Sequence, residues 1–371
     1  MSMRVLCLNA GSSSLKVALV DAGPSGEVRR VEAELPALGD LGVTDALRRA
    51  LDGAGIREPD AIGHRLVHGG PRPGDSRTRA IDAATRARLA LAIPFAPLHL
   101  PAELAIVDAA ARAYPGAPQV AVFDTAFHDT LPDIARRLPI ATWADEAGVR
   151  RYGFHGLSYE YVVSHLGADT LGPSVVAHLG SGASLCAVKD GRSVDTTMGM
   201  SPTGGVMMGT RTGDMDPGAL VHLLDTKGWT ARELEHFVNH ECGLLGVSGG
   251  TSDMRALLER RAHDPRARLA VDLFVYGVQK AIAALVVATG GLRSLVFTGG
   301  IGARSAIVRA EICEGLAFLG VTLDAAANAA HAPVISGVGT QAPCTVRALV
   351  TDEEVVIARH VRRCLSASEH G

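Results

Sequence analysis

The stretch "LNAGSSSLKVALVD", Leu8 to Asp21, decides how this chain is read. An apolar run, "RVLCL" (4–8), leads through Asn and Ala into one Gly and three Ser, and a second run, "LKVALVD" (15–21), follows at once. Two short strands around small turn residues spell a hairpin. Backbone N–H groups in such a turn converge on an anion, the hydroxyls add donors, and the missing bulk lets a phosphate approach. Lys16 follows the turn. Only four of the 36 basic residues are Lys (16, 189, 227, 280), so a Lys kept at this place in an Arg-using chain is singled out.

The pattern returns. Ser14-Leu15-Lys16 is matched by Ser184-Leu185-Cys186, and "CLNAGSSSLKVALVDAG" lies over "AHLGSGASLCAVKDG". Strands at 174–179 and 184–191 flank this second Gly-Ser turn. The repeat predicts a duplicated domain whose two turns grip a polyphosphate from both sides across a cleft. No GxxxxGK[ST] occurs, so a P-loop is excluded.

Composition narrows the class. The 371 residues suggest two domains, and 47% hydrophobic with 20% charged residues describe a soluble globular chain. A net charge of −3 and 4% aromatics argue against nucleic-acid binding. Six scattered Cys (7, 186, 242, 313, 344, 364) without CxxC spacing read as reduced thiols of a cytoplasmic enzyme. The N-terminus lacks a cleavable-signal layout. The apolar stretch "AIAALVVATGGL" (281–292) is shorter than a membrane span and reads as a buried helix, so no membrane is expected.

Further strands are expected at 62–67, 119–123, 294–300 and 345–350. Helices are expected at 101–114, 216–226, 230–241, 252–263, 266–289 and 352–365. "GVRRYGFHG" (148–156) reads as a hinge. The fold class is α/β.

Ten motifs, in order and over nearly the whole chain, carry a resemblance: "LNAGSSSLK" (8–16), "GHRLVHGG" (63–70), "APLHLP" (96–101), "FDTAFH" (123–128), "RYGFHG" (151–156), "HLGSGAS" (178–184), "MGTRTGDMDPG" (208–218), "SDMR" (252–255), "FTGGIG" (297–302) and "TDEE" (351–354). The chain resembles the acetate kinase family, within the acetate and sugar kinase, Hsp70 and actin superfamily. The resemblance implies duplicated ribonuclease-H-like (actin-like ATPase) domains, mixed sheets flanked by helices, and an active site in the interdomain cleft. It implies domains 1–149, completed by a C-terminal helix 354–371, and 150–353.

The implied reaction is Mg2+-dependent, reversible, in-line transfer of the ATP γ-phosphoryl group to acetate, giving acetyl phosphate and ADP. Mn2+ is an expected substitute for Mg2+. A carboxylic acid is already ionised at pH 7 and needs no general base. The obstacle is an anion approaching a polyanion, so positive charge and positioning carry the catalysis. By resemblance, Arg65 binds the carboxylate and Arg211 steadies the transferring phosphoryl, both through the planar guanidinium. His155 would hydrogen-bond the transferring group. Asp124 would act by orienting Arg or the metal's water shell, or would only cap a helix. Mg2+ is assigned to Asn9 and Glu353, with Glu354 as the alternative.

The first phosphate turn is assigned Ser12, Ser14 and Lys16. The second is assigned His178, Leu179, Gly180, Ser181, Gly182 and Ala183. Asp253, Met254 and Arg255, with Gly300, Ile301, Gly302, Ala303 and Arg304, would frame adenosine; Asp253 has a competing role as a helix N-terminal acid. Val67, Leu98, Phe154 and Pro202 would receive the alkyl group. Apolar residues exclude little beyond an extra methylene, so propionate is expected as a weaker substrate and a propionate kinase is the alternative reading. A homodimer and closure of the domains on the substrates are implied as well.

Three departures from the family pattern stand out: Ser181 where Asn is usual, Ala303-Arg304 for Glu-Asn, and Asp352 for Asn, which adds a negative charge near the expected metal. The chain is also shorter than typical members, mainly before residue 62. Two other classes compete. "GVSGG" (246–250) fits the nucleophile elbow of serine hydrolases, which requires a strand before it and a helix straight after. A non-catalytic ATP switch of the same fold would need no carboxylate pocket.

Overall fold

The computed structural model describes residues 2–11, 14–24, 26–36, 52–53, 59–72, 74–337 and 344–368. It divides into two compact units, Met1–Asp129 with Asp352–Gly371, and Thr130–Thr351. Residues 130–149, expected in the first domain, therefore lie in unit 2, and the expected hinge at 148–156 falls inside it.

Unit 1 is built on strands β1 (Met3–Ala10), β2 (Ser14–Gly23), β3 (Gly26–Pro36), β4 (Ala61–Leu66), β5 (Arg79–Ala80) and β6 (Gln119–Phe123), in the sheet order β3-β2-β1-β4-β6-β5. The opening stretch forms the antiparallel β1–β2 hairpin, with Asn9 opposite Lys16 and Ala10 opposite Leu15. β1 then pairs in parallel with β4, and β4 with β6. Leu6, Leu8, Leu15, Val17 and Ile62 make a core with Ile106, Ala109 and Ala110 of helix α1 (Leu100–Ala113). The C-terminal helix Glu353–Ser368 packs on the sheet. At Gly63 a Cβ would stand 2.5 Å from Ile357 Cγ2 and 2.7 Å from Val361 Cγ2. Only glycine lets that helix lie so close to β4.

Unit 2 repeats the plan. Strands β7 (Ser174–Leu179), β8 (Ala183–Lys189), β9 (Arg192–Thr196), β10 (Ser294–Thr298) and β11 (Thr345–Ala348) are ordered β11-β10-β7-β8-β9. Here too an antiparallel hairpin, β7–β8, is followed by an antiparallel third strand, and the first strand pairs in parallel with β10 and β10 with β11. The order β3-β2-β1-β4-β6 thus recurs as β9-β8-β7-β10-β11 with the same strand directions, which is the duplicated ribonuclease-H-like plan. Both second strands shift register against the third, at Leu19/Val20 and Ala187/Val188.

The helices of unit 2 that bear on the site are α2 (Gly156–Leu166), α3 (Ala231–His240), α4 (Met254–Arg260), α5 (Pro265–Thr289), α6 (Gly299–Arg304) and α7 (Ala306–Glu314). The 25 residues of α5 outrun the apolar stretch at 281–292, and by length and composition the helix is long enough to cross a membrane. Its face of Ala267, Ala270, Val271, Phe274, Val278 and Ile282 is buried, and it packs on β7, β8 and β9 as a core helix.

Candidate active site

In unit 1 the site grows from the strand ends. Arg65, near the end of β4, is held by three elements. Its Nη1 donates to the Ala10 carbonyl at 2.7 Å and lies 3.4 Å from Glu103 Oε1; its Nη2 donates to Asp124 Oδ2 at 2.8 Å. Asp124 follows β6, is 1% exposed, and its carboxylate orients the guanidinium. Among the described residues, Arg65 Nε is buried without a hydrogen-bond partner. Two carboxylates in a buried setting raise the Arg65 pKa, so its charge is permanent.

Glu103 is absent from the sequence-based set. It stands on the buried stripe of α1 between Leu100 and Val107, is 3% exposed, and accepts from the Val67 amide at 2.9 Å. An acid at helical spacing among apolar residues was the available signal. Burial pushes its carboxyl up to about 7, against the pull of Arg65.

Asn9, at the other flank, donates from Nδ2 to Glu353 Oε2 and to Glu354 Oε1, each at 2.9 Å. The two glutamates are not equivalent. Glu354 is buried and also lies 3.5 Å from Arg29 on β3, and its carbonyl accepts from the Cys7 thiol. Glu353 is held by Asn9, and burial and the nearby Asp124 push its carboxyl up. The departure Asp352 is neutralised in place: Arg29 Nη2 is 2.5 Å from Oδ1, which also accepts from the Val355 amide at 3.1 Å and so caps the C-terminal helix. Lys16 is exposed on β2, Ser14 opens β2, and Ser12 lies outside the described residues.

In unit 2 the second turn closes through Gly180 N donating to Gly182 O at 2.9 Å. Two side chains converge on it. A Cβ on Gly182 would lie 3.4 Å from His155 Nε2 and 3.4 Å from Arg211 Nη1. His155 precedes α2 in the left-handed region, φ 59°, a conformation rare for a residue with a side chain. Its ring stacks on His178 with centroids 4.2 Å apart and 23° between planes. His178 in turn bonds Ser158 through Nδ1 at 2.8 Å. Arg211 Nη1 donates to the Pro202 carbonyl at 3.2 Å.

The loop carrying Arg211 hangs on α3 and the turn. Gly209 N donates to Ser181 O, Cys242 N to Thr210 O, and Leu244 N to Met208 O. Asn239, 5% exposed, accepts from Thr203 Oγ1 through Oδ1 and from Thr210 Oγ1 through its carbonyl, both at 2.7 Å. At Gly243 (φ 61°) a Cβ would come within 2.8 Å of Arg211 O.

The third glycine turn opens α6. A Cβ at Gly299 (φ 77°) would meet Leu179 O at 2.6 Å, and one at Gly180 would meet Gly300 N at 3.7 Å, so the second and third turns are neighbours. Fully buried Arg309 on α7 donates to Gly302 O and Ala303 O at 2.9 Å, a support with no signal in the sequence. Gly300 and Arg304 are exposed, Ile301 half-buried. Asp253 caps α4, its carboxylate accepting from Arg255 N at 2.8 Å; Met254 is buried and Arg255 exposed. Ser181 is exposed while Ala183 is buried in β8. Of the acyl-pocket candidates, Val67 and Phe154 are buried, Pro202 is half-buried, and Leu98 is 43% exposed.

"GVSGG" makes no elbow. A short helix, Gly243–Ser248, carries its serine, and Ser248 Oγ donates to the carbonyls of Leu245 and Thr251. The element directly before it is helix α3, not a strand, so the hydrolase alternative loses its nucleophile.

Residues 42–359 match the model of the acetokinase family. The chain belongs to the acetokinase family. It is 42% identical to an acetate kinase from Rhodopseudomonas palustris, over 98% of both chains. Among solved structures it is similar to a propionate kinase from Francisella tularensis, with TM-score 0.86, 34% identity, and 96% of this chain and 98% of that one covered. It is likewise similar to an acetate kinase from Porphyromonas gingivalis, with TM-score 0.83, 36% identity, and coverage of 98% and 100%. Membership of this family makes the chain a phosphotransferase with a carboxyl acceptor and removes the reading as a non-catalytic switch.

Proposed function

We propose that this acetokinase-family chain is an acetate kinase, transferring the γ-phosphoryl group of ATP directly to acetate. The observation that carries the reading is the convergence of His155 Nε2 and Arg211 Nη1 on Gly182. Hydrogen-bond donors and positive charge gather at a glycine turn, which is what an ionised nucleophile attacking a phosphate requires. Arg211 stabilises the charge on the transferring group, and His155 donates a hydrogen bond to it. Arg65, held by Asp124, Glu103 and the Ala10 carbonyl, binds the acetate carboxylate with its remaining N–H groups. Asp124 orients Arg65.

Mg2+ belongs to the same proposal. Asn9 and Glu353 supply hard oxygen donors, and the half-buried Glu353 carboxyl gains from a nearby cation. Glu353 rather than Glu354 is the ligand: Asn9 engages both, but Glu354 is also engaged by Arg29. Among the described residues no three His, Cys, Asp or Glu form a metal cluster; Mg2+ takes few carboxylates and completes its shell with water and phosphate oxygens. When bound, it would neutralise charge on the phosphates. Adenosine rests on the turn Gly300–Gly302, buttressed by Arg309.

Propionate is the second reading, favoured by the similarity to the Francisella propionate kinase and by the apolar Val67 and Phe154. A homodimer is proposed too: Leu269, Leu273 and Tyr276 are exposed along α5 and give a second copy an apolar face. The free thiols suit a reducing, cytoplasmic setting.

Steady-state kinetics test the assignment. Arg65→Ala should raise KM for acetate by about 10- to 100-fold, the loss of a charged hydrogen bond. Arg211→Ala should leave KM for acetate near its parent value and lower kcat by about 100- to 1000-fold. Rates with acetate, propionate and butyrate should fall in that order, by about tenfold or more per methylene. Wild-type kinetics in both variants would refute the roles.

A further inference from the structure

His155 has a second nitrogen, and the fold encloses what it meets. Nδ1 lies 2.8 Å from Ser184 Oγ, the second residue of β8. The same Oγ is hydrogen-bonded to the hydroxyl of Tyr159, in the first turn of α2. Tyr159 and Ser184 are both 0% exposed. A three-member chain, phenol to hydroxyl to imidazole, therefore runs from the buried side of α2 to the ring whose Nε2 faces the Gly182 turn.

The order of donors follows from chemistry. A serine hydroxyl has one proton and two lone pairs. Of the two hydroxyls the phenol is the stronger acid, so it donates to Ser184 Oγ. The serine proton then has Nδ1 as its acceptor among the described contacts. A neutral imidazole accepting at Nδ1 carries its proton at Nε2. Burial strengthens the arrangement, since the opposite tautomer would have Nδ1–H donating to Ser184 Oγ and would leave the serine proton to find another acceptor where water does not reach. The left-handed backbone at His155 and the stacked His178 ring hold the imidazole in this orientation.

We propose that Tyr159 and Ser184 are positioning residues that fix the tautomer of His155, so that Nε2–H is presented to the Gly180–Gly182 turn. The proposal rests on the reading of His155 as a hydrogen-bond donor to the transferring phosphoryl group. It adds that the donor is a neutral, preset N–H, ready before substrate arrives.

The test is nitrogen NMR of 15N-imidazole-labelled protein, with the His155 signal assigned by its loss in His155→Ala, beside kinetics of Tyr159→Phe, Ser184→Ala and the double variant. The expected wild-type spectrum has the proton at His155 Nε2. Tyr159→Phe should mix the tautomers and lower kcat about tenfold, the value of one buried hydrogen bond, with KM for acetate and ATP held within about twofold. The double variant should be no worse than Ser184→Ala alone, since one chain is cut in both. A wild-type proton at Nδ1, wild-type kcat in Tyr159→Phe, or additive losses would overturn the proposal. Turnover unchanged in His155→Ala would instead overturn the donor reading, whatever tautomer the spectrum gives.

Discussion

Glu103 sits against Arg65 with its carboxyl pushed up to about 7 by burial. A raised acid pKa in the folded state means that the folded chain holds a proton which the unfolded chain releases near 4.5. The stabilisation is then full below that value and is lost as pH rises toward 7. Thermal unfolding of the parent and Glu103→Gln across pH 4.5 to 7.5 should show the parent losing stability relative to the variant; a constant gap would refute it. Arg65, Asp124, His155 and Arg211 were singled out through the family resemblance, in motifs bounded by glycines or strand ends. Asn239 and Arg309 were not, and Glu103 showed only as an acid at helical spacing among apolar residues. Their partners are backbone groups and side chains brought in from other elements, such as the Val67 amide and the carbonyls of Gly302 and Ala303. No local pattern announces such partners.

At the scale of elements, the β1–β2 and β7–β8 hairpins were legible because apolar runs abut Gly-Ser turns. β3 and β9 were not. Along β3, Arg30, Glu32 and Glu34 are exposed between half-buried Arg29, Val31 and Ala33, the polar alternation of an edge strand with little apolar signal. From that edge Arg29 reaches Asp352 at the start of the C-terminal helix. Asp352→Ala removes both an ion pair and a cap and should destabilise the fold by about 1–2 kcal/mol, measured by urea unfolding. Asp352→Asn keeps the capping oxygen and should cost less; equal losses would refute the cap. The loop bearing Arg211 depends on α3 in the same way. Asn239→Ala strands the Thr203 hydroxyl and should cost about 1–3 kcal/mol, with kcat falling as Arg211 loses its fixed loop. Unchanged kcat would place the loop's order elsewhere.

The whole molecule is a duplication, with one strand plan used twice and each copy given different chemistry. The end of β1, at Asn9 and Ala10, meets Glu353, Glu354 and Arg65, whereas the turn following β7 faces His155 and Arg211. The repeat was legible because Ser14-Leu15 and Ser184-Leu185 stand near the start of equivalent strands. The return of the chain end was legible only through the family resemblance: residues from Asp352 onward belong to unit 1, although β11, the strand before them, belongs to unit 2. The exposed apolar side chains of α5 predict a dimer by light scattering, converted to monomer by Leu273→Glu with Tyr276→Glu; an unchanged mass would refute that face.

Phosphorylation of acetate by this chain can be measured directly. Purified protein with ATP, Mg2+, acetate and hydroxylamine tests it, because hydroxylamine traps acetyl phosphate as acetyl hydroxamate. Hydroxamate should accumulate in proportion to enzyme and require acetate, with Arg65→Ala needing far more acetate to match it. No hydroxamate above the enzyme-free blank would contradict it.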